Sequence, residues 1–239
     1  MKTSKPFVEL NGTPLLLHTV QALQESPVIR WIILVVRASA FPQAKALLSR
    51  HALTKARLCI GGTSRAESVA RGFADLPPEA QWVLVHDGAR PCISDHVLRA
   101  SVRAAKRYGA VACGLPAMVT VKAVDERRDV RLTLDRDRLW LVQTPQVFRR
   151  DWFARALAQS NHHLGQFPDD AALVESAGFP VRMIPGDPFN IKVTTPDDLM
   201  LAEAVLAKRR QSALSGQQSA KRNRQIVLGD RRIAMWSSS

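Results

Sequence analysis

Short apolar runs that alternate with amphipathic helical segments constrain the fold of this chain most strongly. Residues 31–36 and Trp82–Val85 are apolar at consecutive positions, which is typical of strands buried on both faces of a parallel sheet. Segments with helical spacing lie between and after these runs, at 41–50, 64–76 and 94–107. The alternation predicts an α/β fold with a mostly parallel, twisted sheet and helices on both faces.

The pattern changes between residues 117 and 142. Residues 119–124 and 130–134 alternate between apolar and polar side chains, and a cluster of acids and arginines separates them. This pattern predicts an antiparallel β-hairpin arm over about 117–142 rather than another strand–helix unit. Such an arm either forms an oligomer contact or is a plain surface hairpin. Further helices are expected at 151–159, at 169–177 and from 196 to about 209, with a strand at 181–184.

Composition excludes several classes of protein. No apolar run approaches the ~18–20 residues that a transmembrane helix needs, and the first residues lack a signal-peptide pattern. The three cysteines form no CxxC pair, which argues against a disulfide framework and a zinc site and indicates a cytoplasmic protein. The six histidines show no HxH or HxxxH spacing, and no GxSxG motif is present. Zinc hydrolysis and catalysis by a covalent nucleophile are therefore not expected.

Positive charge is concentrated at the end of the chain. Of the formal net charge of +13, residues 208–239 carry +7, from eight Lys or Arg and one Asp. We therefore divide the chain into a domain at 1–207 and a basic tail at 208–239 that is disordered or loosely helical. The tail is either a solvated extension or a segment that binds nucleic acid, and the solvated extension is the default. The modest excess over 1–207 suits a protein that handles anionic phosphates.

An Asp and an Arg follow the apolar run at 82–85 directly, in the segment His86-Asp87-Gly88-Ala89-Arg90-Pro91. Ligands of open α/β sheets bind at the carboxyl ends of the strands, where these two charges are expected to lie. Charged groups near a core are costly unless they are paired or used. The segment is therefore either a functional site or a strand-exit turn in which Arg90 is paired with Asp87.

Other candidate groups are weaker when each is taken alone. Gly61-Gly62 precedes a helix whose first turn Thr63 or Ser64 could cap, and such a helix start favours anions. Lys192 lies in the apolar segment 190–193, as a phosphate ligand or as a surface lysine of an edge strand. Arg136 suits phosphate recognition but sits in a charged cluster that could be solvated. Asp169 and Asp170 open a helix, so either could be simply a helix cap.

These segments occur together with further motifs in one order along the chain. The motifs are KPF (5–7), LNGTPL (10–15), GGTSRAESV (61–69), VHDGARP (85–91), TVK (120–122), TLDR (133–136), QTPQVF (143–148), PDDAALVE (168–175) and NIKVTTPDDL (190–199). In this order and spacing, residues 1–207 resemble the 2-C-methyl-D-erythritol 4-phosphate cytidylyltransferases. Ribitol-phosphate cytidylyltransferases are the nearest similar family.

The resemblance implies a Rossmann-like nucleotidyltransferase that is a homodimer through the arm. The implied reaction transfers CMP from CTP to 2-C-methyl-D-erythritol 4-phosphate, releasing pyrophosphate, in the non-mevalonate route to isoprenoid precursors. Mg²⁺ or another divalent cation is implied as the cofactor. The alternatives are a cytidylyltransferase for ribitol phosphate or another polyol phosphate, and an inactive paralogue whose tail binds nucleic acid. Transfer of this kind depends on positioning and charge neutralisation, which explains why no nucleophile–base pair is found.

The resemblance also implies roles for individual residues. Lys5, Arg136 and Lys192 are implied to be catalytic, and Asp87 is implied to lie at the metal. The residues implied to bind CTP are Gly61, Gly62, Arg65, Ser68, Asp87, Ala89 and Arg90. The residues implied to bind the acceptor are Thr120, Arg136, Asp169 and Lys192, with Asp169 placed to reach across a dimer.

The chain departs from the family pattern in three places. The family begins with a strand and a glycine-rich AAGxGxR loop ahead of the Lys-Pro pair, whereas this chain starts at Met1-Lys2-Thr3-Ser4-Lys5. We expect the recorded start to be late, with an inactive paralogue as the alternative. Ala117-Met118-Val119 stands where the family has an Arg-Asp pair, and Pro168 replaces a threonine. Both of these changes bear on which acceptor is used.

Overall fold

The computed structural model describes residues 7–160 and 164–230. The strands are β1 (Glu9–Leu10), β2 (Thr13–Pro14), β3 (Ile32–Val36), β4 (Ala56–Ile60), β5 (Trp82–Val85), β6 (Ala110–Pro116), β7 (Val121–Val124), β8 (Val130–Leu134), β9 (Trp140–Arg149) and β10 (Arg182–Pro185). The helices are α1 (Leu15–Glu25), α2 (Phe41–Arg50), α3 (Arg65–Ala74), α4 (Asp95–Tyr108), α5 (Arg150–Gln159), α6 (Asp170–Ser176) and α7 (Pro196–Asp230). The α/β class is confirmed.

The main sheet has the strand order β10-β6-β9-β5. β10 pairs with β6 in parallel, whereas β9 is antiparallel to both β6 and β5. Three of its four strands therefore run in one direction, and β9 enters between β6 and β5 in the opposite one. β3 and β4 form a separate parallel pair, with Ile32 opposite Ala56. The sheet is mostly parallel in strand direction, as predicted, but the antiparallel β9 was not predicted.

Helices cover both faces of the main sheet because successive side chains of a strand point to opposite faces. Val111 and Cys113 of β6 pack with Val97 and Leu98 of α4 in one core cluster. Ala110 and Ala112 pack on the other face with residues of α5 and α6, including Phe153 and Val174. Phe148 of β9 stacks on Phe153, with ring centroids 5.2 Å apart. The predicted arrangement of helices on both faces is confirmed.

The arm is an antiparallel hairpin of β7 and β8, with Val121 opposite Leu134. Its strands end earlier than the predicted boundary at 142. Residues Trp140 to Val142 belong to β9 and pair with β6 in the main sheet. The hairpin is therefore followed closely in the chain by β9, a strand of the main sheet.

The last helix, α7, runs to Asp230, beyond the end expected near residue 209. Arg209 donates a hydrogen bond from Nη1 to the backbone oxygen of Cys92 at 2.7 Å, and its Nη2 lies 3.2 Å from Asp187 Oδ2. Arg209 thus fastens α7 to the loops after β5 and β10. The predicted boundary at 207 falls inside this helix, and the division into domain and tail stays a prediction.

Within the described part of the chain, no helix is both long and apolar enough to cross a bilayer.

Candidate active site

The loop after β5 places Asp87 among three cationic side chains, one from the same loop and two from distant parts of the chain. Asp87 Oδ2 lies 3.1 Å from Lys192 Nζ and 3.2 Å from Arg90 Nε, and Asp87 Oδ1 lies 3.8 Å from Arg65 Nε. Burial favours the neutral acid, but the positive charges of Lys192, Arg90 and Arg65 hold the pKa of Asp87 below its ordinary value. Arg65 also pairs with Asp170, so the cluster has three cations and two carboxylates, an excess of one positive charge that suits an anionic ligand.

The segment 190–193 is not a strand but lies along the β5 loop. Val193 N–H donates to Ala89 O at 2.8 Å, and Arg90 Nη1 donates to Asn190 O at 2.9 Å. Asn190 is fully buried and donates from Nδ2 to Thr144 O at 2.7 Å. These bonds fix the backbone on either side of Lys192. Lys192 pairs with Asp87. The alternative interpretation, a surface lysine on an edge strand, did not predict this ion pair.

The start of α3 is a closed hydrogen-bonded turn. Ser64 caps the helix by accepting from Glu67 N–H at 3.0 Å, and Glu67 Oε2 accepts from Thr63 N–H and Oγ1 at 2.7 and 2.8 Å. Bonds from Thr63 and from Arg71 lower the pKa of Glu67 to about 2. The capping role that the sequence predicted for Ser64 is confirmed.

Ser68 also holds the Gly61-Gly62 turn. Its hydroxyl accepts from Gly62 N–H at 3.0 Å and donates to Ser64 O at 2.8 Å. A side chain at Gly61 would come within 2.7 Å of Ser68 Oγ, so the close approach requires glycine there. In this state Ser68 shapes the turn and presents no free hydroxyl to a nucleotide.

β9 contributes three buried polar side chains that the sequence analysis did not assign to the site. Gln143 bonds the loop after β10, donating to Asp187 O at 3.1 Å and accepting from Asp187 N–H at 3.3 Å. Thr144 Oγ1 accepts from Asp87 N–H at 3.0 Å and lies 3.1 Å from His86 Nδ1. Gln146 Oε1 accepts from Ala171 N–H at the start of α6, at 2.9 Å. β9 thus connects three loops of the site.

The two adjacent acids at the start of α6 have different partners. Asp169 is the helix cap, accepting from Ala172 N–H at 2.8 Å on Oδ1 and from Gln146 Nε2 at 2.8 Å on Oδ2. Asp170 instead forms an ion pair with Arg65, with Oδ2 2.7 Å from Nη2. Burial raises the pKa of Asp170 above its ordinary value, although the bond and charge of Arg65 act in the opposite direction. The capping interpretation therefore describes Asp169, whereas Asp170 is the acid that reaches the Asp87 cluster through Arg65.

His86, next to Asp87, is held uncharged. Burial lowers its pKa to about 4, and the nearby charge of Asp87 offsets this only in part. Its Nε2 lies 3.4 Å from Arg90 O. Together with Thr144, it supports the backbone of the loop that carries Asp87 and Arg90.

Most of the predicted site residues lie around the β5 loop and α3, and two of them lie in the arm. Arg65, Arg90 and Lys192 contact Asp87, Ala89 lies in the same loop, and Asp169 precedes Asp170, the partner of Arg65. Gly61, Gly62 and Ser68 are bonded together at the start of α3, the helix that carries Arg65. Thr120 and Arg136 are exposed in the arm, and among the described contacts none joins Arg136 to the Asp87 cluster. Lys5 lies outside the described residues.

A metal ion at Asp87 would need ligands from outside the described part of the protein. Within the described residues, no group of three or more His, Cys, Asp or Glu side chains could hold a metal ion. Mg²⁺, however, commonly uses one or two carboxylates and takes its other ligands from phosphates and water. A single carboxylate such as Asp87 fits that role and does not fit a metal held by protein ligands alone.

Comparison with known proteins agrees with this geometry. A family model described as IspD, 2-C-methyl-D-erythritol 4-phosphate cytidylyltransferase, matches residues 1–208. An enzyme of that name from Syntrophus aciditrophicus is 41% identical over 212 residues, covering 87% of this chain and 91% of the relative. One from Alkaliphilus metalliredigens is 38% identical over 209 residues, covering 87% of each chain.

Solved structures show the same fold. The 4-diphosphocytidyl-2C-methyl-D-erythritol synthase of Anaerococcus prevotii superposes with a TM-score of 0.78 at 29% identity, covering 85% of this chain and 90% of that one. The 2-C-methyl-D-erythritol 4-phosphate cytidylyltransferase of Thermus thermophilus gives a TM-score of 0.73 at 32% identity, covering 84% and 92%. The predicted Rossmann-like nucleotidyltransferase fold is confirmed. With a family match over residues 1–208, this chain belongs to the 2-C-methyl-D-erythritol 4-phosphate cytidylyltransferase family.

Proposed function

We propose that this chain transfers CMP from CTP to 2-C-methyl-D-erythritol 4-phosphate in isoprenoid precursor biosynthesis. A phosphate oxygen of the acceptor attacks the α-phosphorus of CTP and forms a new P–O bond. The bond from the α-phosphorus to the bridging oxygen breaks, and pyrophosphate leaves with the electron pair. The observation that carries this proposal is the ring of Arg65, Arg90 and Lys192 around Asp87 at the carboxyl end of β5.

The positive excess of that ring supports the assignment of the triphosphate to it. Charge that develops on the phosphates is stabilised best by donors that are already in place before the reaction. Arg90 is nearly fully buried and is held by Asp87 and Asn190, so it needs little reorganisation. Lys192 is more exposed and can turn from Asp87 towards phosphate oxygens, whereas Arg65 stays paired with Asp170 and is open enough to donate its other N–H groups. In this proposal the turn at Gly61-Gly62 and the start of α3 hold the cytidine.

We also propose that Mg²⁺ acts as the cofactor and that Asp87 is its protein ligand. The cation would neutralise charge on the triphosphate and help to orient it. When Lys192 turns to the phosphates, Asp87 loses its nearest cation and becomes accessible to Mg²⁺. Lys5, which the family resemblance implies to be catalytic, is proposed to add a further positive charge.

The acceptor is proposed to be gripped by Thr120 and Arg136 of the arm together with Asp169 and Lys192. The arm is also the proposed dimer contact. Its large exposed apolar side chains include Val130 and Leu132, each more than half exposed in the single chain. Apolar patches of this kind mark interaction surfaces. Two of the proposed acceptor groups, Thr120 and Arg136, thus lie in the same arm as the proposed dimer contact.

Activity is tested by measuring pyrophosphate release from the purified chain with CTP, Mg²⁺ and one acceptor at a time. We expect release with 2-C-methyl-D-erythritol 4-phosphate and much slower release with ribitol 5-phosphate. Phosphorus NMR of the product should show a new diphosphate linkage. Faster release with ribitol 5-phosphate would overturn the acceptor, and no release with either acceptor would overturn the activity.

The dimer is tested by sedimentation velocity on the purified chain. We expect a dimer for the unchanged chain and a monomer for Leu132→Glu. Leu201→Glu is the matched control because Leu201 is 57% exposed, against 56% for Leu132, but lies on α7. A monomeric unchanged chain at tens of micromolar, or equal effects of the two variants, would contradict dimerisation through the arm.

We propose a cytoplasmic location and no nucleic-acid partner. The three cysteines are free and buried, which suits a reducing compartment. Of the basic residues after 207, Arg209 is used to hold α7 against the core and is not available to a polyanion.

A further inference from the structure

We propose that Asp170 is the positioning residue for Arg65 and so sets the affinity of the site for CTP. The inference rests on the proposed role of Arg65 in nucleotide binding. It names a residue that carried no site assignment from the sequence, where the adjacent Asp169 was assigned instead.

The burial of Asp170 requires a partner. Its side chain is 3% exposed, and Arg65 Nη2 lies 2.7 Å from its Oδ2. A buried carboxylate without a cation is strongly destabilised. Both oxygens of its neighbour Asp169 are engaged by Ala172 N–H and Gln146 Nε2. Asp170 is thus the acid of this pair that faces α3.

Arg65 links Asp170 to the centre of the site, because its guanidinium group contacts both Asp170 and Asp87. The guanidinium group is planar, so fixing Nη2 at Asp170 also fixes the directions of its other N–H groups. One of these groups, Nε, lies 3.8 Å from Asp87 Oδ1. The Arg65 side chain remains 41% exposed, which leaves it open to a ligand. Asp170 therefore restricts the rotamers of an arginine that a ligand would otherwise have to order.

Asp170 does not touch the proposed ligand itself. It lies behind Arg65, in the first turn of α6, whose backbone is fixed by Gln146 through Ala171 N–H at 2.9 Å. The acid is held on a rigid element, and the arginine reaches from α3. Without the acid, Arg65 would still carry its charge but would lose its orientation. Loss of Asp170 should therefore weaken CTP binding while the chemical step is affected less.

The test is calorimetric titration of CTP with Mg²⁺ into the full chain, without acceptor, for Asp170→Asn, Arg65→Gln and the double variant. We expect each single change to raise the Kd for CTP about tenfold, the usual scale of one charge-assisted hydrogen bond. The double variant should bind no more than twofold more weakly than either single variant, because Asp170 acts through Arg65. Asp170→Glu should recover part of the affinity.

Asp151→Asn is the matched control, since Asp151 also lies in the first turn of a helix and pairs with an arginine, Arg149, but away from the site. It should leave the Kd for CTP unchanged. Melting temperatures are recorded for all variants. If Asp170→Asn does not fold, the Kd for CTP of Asp170→Glu is used in its place. A purely structural role would lower the melting temperature of Asp170→Asn and leave its Kd unchanged.

Two failures are distinguishable. If the unchanged chain binds CTP and Asp170→Asn binds it equally well, or if the two changes multiply in the double variant, the positioning role is wrong. If the unchanged chain neither binds CTP nor releases pyrophosphate, the proposed function is wrong and the inference is wrong with it.

Discussion

The loop after β5 and the arm both carry residues that the family pattern marks as functional, but their side chains are held in different ways. At the β5 loop, Asp87 meets Arg65 and Lys192, which lie 22 and 105 residues away in sequence. In the arm, Arg136 contacts Met118 O at 3.4 Å and its neighbour Asp137 at 4.0 Å, and both contacts are exposed. The first region is organised within one chain, whereas the second is organised only locally.

This difference indicates that nucleotide binding depends on contacts already formed within the chain, whereas acceptor binding by the arm depends on contacts that form later. The nucleotide half is preorganised, so its residues should affect both stability and activity. In the acceptor half, Asp169 and Lys192 are already engaged within the chain, whereas Thr120 and Arg136 of the arm are exposed and gain further partners only from a ligand or from a second copy. The arm residues should therefore affect activity without affecting the stability of the fold.

The largest effect is expected from Asp87→Asn. It removes the charge that three cations share, and pyrophosphate release should fall by two to three orders of magnitude, the scale seen when one preorganised group is removed from an active site. The melting temperature should also fall, because buried Arg90 loses its counter-charge. Asp137→Asn in the arm, at a side chain that is 89% exposed, is the control and should change neither quantity. Activity of Asp87→Asn within fivefold of the unchanged chain would contradict the assignment.

A smaller effect is expected from pH, through His86. Its pKa is about 4 in the folded chain against 6.5 when unfolded, so the unfolded chain binds the extra proton between these values. Stability therefore increases with pH across that window, is fully present above about 6.5, and is lost as pH falls towards 4. The loss is at most about 3 kcal/mol, since each pKa unit corresponds to ~1.4 kcal/mol and the imidazole is only partly buried by surface area.

The measurement is urea unfolding at pH 7.5 and pH 5 for the unchanged chain and for His86→Gln. The variant should lose less stability on acidification. The difference between the two chains gives the contribution of His86 to the pH dependence, separate from that of other groups such as His18, whose pKa is also lowered. An arm variant such as Arg138→Ala should show the same pH dependence as the unchanged chain. If His86→Gln behaves like the unchanged chain, the preorganised loop is not the source of the pH dependence.

The smallest effect on the fold is expected from Arg136→Ala. Its side chain is exposed, so the melting temperature should stay within about 1 °C, as for most surface changes. The KM for 2-C-methyl-D-erythritol 4-phosphate should nevertheless rise about 30-fold, on the scale of one charged hydrogen bond, with the KM for CTP unchanged. Arg138→Ala, two residues along the chain and 87% exposed, is the matched control. A fall in stability, or an equal rise in both KM values, would remove the contrast between the two regions.

The apolar strands and amphipathic helices could be predicted from the sequence because their patterns are local. β3, β5, β10 and the helices α2 and α4 lie within one or two residues of their predicted positions. β9 was missed because Gln143, Thr144, Pro145 and Gln146 interrupt the apolar pattern of a buried strand. Those polar groups are buried because they bond the loops of the site, and no local pattern shows which loops will be near.

The candidate site shows the same limit. The family motifs placed Asp87, Arg90, Arg65 and Lys192 in one site, and the geometry brings them together. The resemblance assigned a role to Asp169 and none to Asp170, and the capping pattern did not separate these two acids because both are suitable caps in sequence. The backbone of α6 decides that Asp169 accepts from its own helix while Asp170 faces Arg65. The end of α7 was likewise missed, because the polar composition after 209 resembles that of a disordered tail.

The sequence by itself determined the α/β class, the family and the identity of the charged residues at the end of β5. These follow from the spacing of apolar residues and from motifs that can be read along the chain. Only the tertiary structure decided which charges are paired, which hydroxyls and amides are engaged, and which functional side chains are left exposed. The physical reason is that ion pairs and buried hydrogen bonds depend on distances of about 3 Å between residues that can be more than 100 positions apart in sequence.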